Sequence, residues 1–188
     1  MSRFAHLVCA GLLAGVAVSG VQPALAQPRP ALSGECFWRH LERPTRAALL
    51  QGYQQLGPDV LDRVFISDDE HRAIDEACQA ARGADPSTKQ RLLAAIVVEH
   101  GAAVFLKGRL RWQDEDIQAA WRRLDPEARS RLRREADAAL GPRAPGPDDI
   151  EGLAEVFLGP AAQDTSALDQ AKAYLTSRAV REAIERGS

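Results

Sequence analysis

Leu92-Leu93-Ala94-Ala95-Ile96-Val97-Val98-Glu99-His100-Gly101-Ala102-Ala103-Val104-Phe105-Leu106 is the stretch whose reading decides the fold. Asp85-Pro86 opens it as N-cap and first-turn proline, and the run reaches Lys107 before Gly108 stops it. The spacing predicts one helix, apolar on most sides, and therefore central to a bundle. The stretch is too short and too charged to span a membrane. Two polar residues interrupt it. Glu99 shares a stripe with Leu92, Ile96, Ala103 and Leu106, and His100 shares one with Leu93, Val97 and Val104. Burial raises the pKa of a carboxylate and can prepare a general acid or base. The plainer expectations are a wet helix edge, or an arginine partner for Glu99.

The flanking sequence repeats this pattern of short, well-punctuated helices. Pro44 opens a helix with Leu49, Leu50, Tyr53 and Leu56 on one stripe, stopped by Gly57-Pro58. Ser67-Asp68-Asp69-Glu70 is a capping box, and its helix aligns Ile74, Ala77, Cys78 and Ala81 before Gly83. Ile117, Ala120, Trp121 and Leu124 form one stripe, and Ala128, Leu132, Ala136 and Leu140 form the next. Beyond it, Ile150, Leu153, Ala154, Phe157 and Leu158 align, with two further short helices expected to end near Arg186. Few aromatics, few threonines and abundant alanine disfavour a sheet. The expected fold is all-α, a compact bundle of about six to eight short amphipathic helices. Trp38-Arg39-His40-Leu41 and Trp121-Arg122-Arg123-Leu124 echo each other, which suggests tandem helical hairpins of about 42 residues.

The N-terminus sets the expected compartment. Met1-Ser2-Arg3, an uncharged run from Ala5 to Val21, Pro23 and then Ala24-Leu25-Ala26 have the layout of a signal peptide cleaved between Ala26 and Gln27. His6-Leu7-Val8 before Cys9 lacks the small residue of a lipid-modification site, and no twin arginine is present. The reading is a periplasmic or secreted chain with no transmembrane segment after cleavage. Its organisation is expected as signal peptide 1–26, helical domain 27–140, Pro/Gly linker 141–147, and C-terminal helices 148–188 docked on the main domain. The full chain of 188 residues has a formal net charge of −2. That balance argues against a nucleic-acid partner. Arginine outnumbers lysine 21 to 3, a bias that a GC-rich genome explains without anion recognition.

Leader cleavage removes Cys9 and leaves Cys36 and Cys78, expected as a disulfide in an oxidising compartment. A sharper alternative adds His40 and His71, giving two thiolates and two imidazoles as a tetrahedral zinc set. Met1 is the only methionine, so a thioether copper site is excluded. Arg122, Arg123, Arg129, Arg133 and Arg134 form a basic surface, although Glu127, Glu135 and Asp137 at helical spacing suit a solvated face. Trp38, Trp112 and Trp121 suggest a sugar-stacking platform or, more plainly, core. There is no phosphate loop, nucleophile elbow, zinc-protease motif or calcium loop, and no cofactor is expected. The function expected is interaction with an envelope protein or glycan, or structural support of an envelope assembly. The alternatives are a peptidoglycan-acting enzyme using Glu99 and His100, and a metal-binding module through Cys36, His40, His71 and Cys78.

Overall fold

In the computed structural model, which describes residues 32–78, 81, 83–140 and 148–187, the apolar run forms one unbroken 25-residue helix, α4 (Pro86–Leu110). The expected leader and the 141–147 linker lie outside the described residues. Asp85 caps α4 by accepting the amides of Ser87 and Thr88. Hydrogen bonds from Thr88 first, and then Ser87, hold the Asp85 carboxyl well below the usual carboxylate range. The helix passes through Gly108 and ends at Arg111, whose left-handed φ of 56° turns its N–H back to the Lys107 carbonyl. A glycine costs a helix about 1 kcal/mol, too little to stop one held by packing on several sides.

The second long helix, α8 (Thr165–Gly187), runs antiparallel to α4. Arg109 meets Asp164 at one end of the pair, while Glu99 meets Arg181 farther along. Two short helices were expected here. Instead a 3-10 turn (Gly159–Gln163) leads into one continuous 23-residue helix, because no glycine or proline interrupts residues 165–186. Asp164 caps its start by accepting the Ala167 amide at 3.1 Å. Ala102 on α4 and Ala167 and Ala171 on α8 are fully buried, and small residues of this kind let two helices approach closely.

The other helices clothe this pair. α1 (Gly34–His40) and α2 (Arg43–Leu56) pack on α4, and α3 (Asp68–Ala77) packs on α1. α5 (Asp114–Arg123) bridges α4 and α7, while α6 (Pro126–Leu140) and α7 (Asp148–Leu158) cover α8. The described residues therefore form an all-α bundle of eight helices, two of them long. None is long and apolar enough to cross a membrane. The two Trp-Arg segments sit in different settings: Trp38 is buried against His100, and Trp121 is half-buried beneath the Arg178 guanidinium.

The capping box at Ser67 forms in full, and Glu70 also accepts the Glu42 amide at 3.0 Å, tying the start of α2 to the start of α3. Burial opposes the charge on Glu70. The Glu42 amide, the Thr45 hydroxyl and Ser67 outweigh it and hold the carboxyl below its ordinary value. α3 stops at Ala77, short of Gly83, because Cys78 leaves helical geometry as the C-cap while its N–H closes on Ile74.

At Gly101 the Tyr53 ring of α2 packs directly on the backbone of α4. A side chain there would overlap the Tyr53 ring. The Tyr53 hydroxyl donates to Gln170 at 3.0 Å, joining α2 to α8, and burial pushes its pKa up to about 12. Gly101→Ala is expected to destabilise by about 1–3 kcal/mol in urea unfolding, as over-packed cores do. Gly108→Ala, where an added Cβ meets open space, should instead stabilise by up to about 1 kcal/mol.

Candidate functional site

The surface between α1, α3 and α4 holds a cleft of about 580 Å³. Helix α1 contributes Phe37, and α3 contributes His71, Ile74 and Asp75. Helix α4 contributes Pro86, Lys89, Gln90, Leu93 and Ala94. Leu61, Asp62, Val64, Phe65 and Ile66 complete it from the connection between α2 and α3. Phe37, Ile74 and Leu93 are buried, while Phe65 is 82% exposed. Lys89 binds both oxygens of Asp75, at 2.7 and 2.8 Å, placing an ion pair among the apolar lining. The sequence reading did not identify this site. Its signal was Val64-Phe65-Ile66, an apolar triplet placed after the Gly57-Pro58 break and before the Ser67 cap, where no helix face can bury it.

Cys36 and Cys78 lie beside this cleft at disulfide distance, with Cα atoms 6.0 Å apart, and they tie α1 to the end of α3. His40 joins them: its Nδ1 is 3.6 Å from the Cys36 sulfur and 3.9 Å from the Cys78 sulfur. His71 is placed among the cleft residues instead. Of the four residues considered as metal ligands, the structure thus gathers Cys36, His40 and Cys78, with ligand atoms within 4.8 Å of one another.

Glu99 and His100 go to a different environment, at the junction of α1, α4 and α8. The Arg181 guanidinium grips Glu99 in a fork, Nε to Oε2 at 2.6 Å and the second nitrogen to Oε1 at 3.1 Å. Arg181 also reaches Glu185 at 3.0 Å, and Glu185 accepts the Gly34 amide at 2.8 Å. Burial works against the Arg181 charge, but Glu99 first and then Glu185 hold its pKa well above the ordinary range. Each Glu99 oxygen thus accepts from the same guanidinium, which makes the pair a buried structural tie between α4 and α8.

His100 stacks on Trp38, ring centroids 4.3 Å apart and planes within 13°. Its Nε2 makes no well-formed hydrogen bond and lies 3.4 Å from the Glu35 carboxylate. Burial pulls the His100 pKa below its ordinary value, and the charge of Arg181 adds to this, while Glu35 and Glu99 oppose it. The folded state therefore takes up this proton later than the unfolded state as pH falls. Stability from His100 is complete above the unfolded value of about 6.5 and declines as pH drops from there toward the lower folded value. Thermal unfolding between pH 7.5 and 5 should show that decline, and His100→Gln should flatten it; an equal slope in both proteins would refute the assignment.

The basic surface divides by role. Arg122, Arg133 and Arg134 are exposed and Arg129 is half-buried. Arg123 donates to the Phe157 carbonyl at 2.6 Å, satisfying the end of α7. Asp137, one of the acidic residues at helical spacing from this cluster, meets Arg186 of α8 at 3.8 Å. The tryptophans form no shared platform: Trp38 is buried, Trp112 packs edge-on to Phe157, and Trp121 lies under Arg178. The chain matches no family model, no curated protein and no solved structure.

Proposed function

We propose that this chain is an exported, non-catalytic binding protein that takes an apolar segment of an envelope protein into the cleft between α1, α3 and α4. The observation that carries this reading is Phe65, which stands 82% exposed beside buried Phe37, Ile74 and Leu93. An aromatic side chain left in water next to an apolar cleft is a common anchor for a partner. Protein is favoured over glycan because most of the residues that line the cleft are apolar and no tryptophan is among them. The signal-peptide layout of the first 26 residues and the disulfide-distance pair are compatible with an envelope location. No observation favours the enzymatic alternative, since its carboxylate is held by Arg181.

The test is a photo-crosslinking residue placed at position 65 in living cells, with one at the exposed Val156 as control. A discrete protein adduct is expected from position 65 only. With that partner purified, Phe65→Asp should weaken binding at least about tenfold without lowering the unfolding temperature. Equal capture from both positions, or unchanged affinity, would sink the reading.

A further inference from the structure

We propose that reduction of the Cys36–Cys78 bond converts this corner of the molecule into a zinc site with Cys36, His40 and Cys78 as its three protein ligands. The argument is geometric. With zinc–sulfur bonds near 2.3 Å and zinc–nitrogen bonds near 2.0 Å, a tetrahedral site separates ligand nitrogen and sulfur by about 3.6 Å, and two sulfurs by about 3.8 Å. His40 Nδ1 already lies 3.6 and 3.9 Å from the two sulfurs. Two edges of the ligand triangle are therefore at coordination length, and only the sulfur–sulfur edge is short, because a covalent bond occupies it. Breaking that bond lets the third edge open by rotation of the cysteine side chains.

The surroundings set the direction of approach. Cys78 is buried, Cys36 is half-buried and His40 is exposed. An ion enters from the His40 side and keeps a solvent-facing position for water as fourth ligand. His40 is placed by the helix itself, since positions four apart share a face of α1. Its Nδ1 also faces the Cys36 carbonyl at 2.9 Å. Coordination exchanges that contact for the metal and requires the neutral ring with its hydrogen on Nε2.

The chemistry balances with a dithiol as reductant. The dithiol transfers two electrons and two protons to the disulfide, giving two cysteine thiols and becoming a disulfide itself. Zinc then displaces one proton from each thiol, so that two thiolates and one neutral imidazole hold the ion. The disulfide and the metal exclude each other, and the site is readable only in the reduced chain.

The experiment uses the chain from Gln27, reduced with a phosphine and titrated without oxygen with cobalt(II) and then zinc(II). One equivalent of cobalt should produce a thiolate charge-transfer band and the visible bands of a tetrahedral ion, and zinc should abolish both. The oxidised chain should give neither. His40→Ala should lower zinc affinity at least tenfold in competition with a chromophoric chelator, whereas His71→Ala should leave it unchanged. Circular dichroism before and after zinc covers the case in which reduction loosens the fold, since helicity should then return with one equivalent of metal. Absence of the cobalt bands, or equal affinity of the His40→Ala protein, would overturn the proposal.

Discussion

Arg181→Ala is expected to cost about 3–5 kcal/mol of stability, one of the two largest losses foreseen for a single site in this fold. The change removes the fork from Glu99, which sits 8% exposed in the middle of α4, and leaves a carboxylate without its partner among Val98, Ala102 and neighbouring apolar groups. It also releases Glu185, the residue that holds the Gly34 amide and so the start of α1. A pair this buried is costly to desolvate, so replacing both partners with apolar residues tells more than removing one. Glu99→Leu combined with Arg181→Met should recover most of the loss, and Glu99→Gln alone should lie between. Urea unfolding curves of the four proteins decide the matter. Were Arg181→Ala to unfold at the wild-type midpoint, the pair would not be structural and Glu99 would return as a candidate for chemistry.

The second large effect belongs to the disulfide. A cross-link closing a loop of about 43 residues stabilises by about 4 kcal/mol in the chain-entropy model. The Cys36→Ala/Cys78→Ala protein should therefore melt lower by about 10 °C, given the size of the chain. Cys36 precedes Phe37, and Cys78 lies one helical turn beyond Ile74, so the bond also braces α1 and α3 where both line the cleft. Hydrogen exchange of α1 and α3 amides should accelerate more than that of α4 or α8. A uniform change across all helices would show that the bond acts only on the unfolded chain.

Much of the local structure was legible in the sequence because it is written in short-range chemistry. Ser67 with Glu70, Asp85 before Pro86, and the stripes of α5 and α6 are set by residues within four positions of each other, and they appear as read. The partner of Glu99 was not legible, because Arg181 lies 82 residues away and nothing in either segment encodes the distance. The same limit applies to His71. Its spacing from Cys78 puts both on one helix face, yet α3 turns that part of its surface to the cleft while Cys78, at the C-cap, faces α1 and His40. Boundaries failed where tertiary packing outweighs local preference, as at Gly108 inside α4. The cleft escaped because it is made by four segments, none of which carries a motif.

The placement of α8 has a consequence for how the molecule comes into being. Half of the central helix pair is supplied by residues 165–187, and the bond from Gly34 to Glu185 spans 151 positions. Contacts of such long sequence separation form late, after their loops have closed. Synthesis proceeds from the N-terminus at about 5–20 residues per second. During most of it, α4 lacks its antiparallel partner, and the face that packs on α8 stays uncovered although α1 and α2 already lie on other sides. The central helix pair is thereby completed only after residues 165–187 have been made.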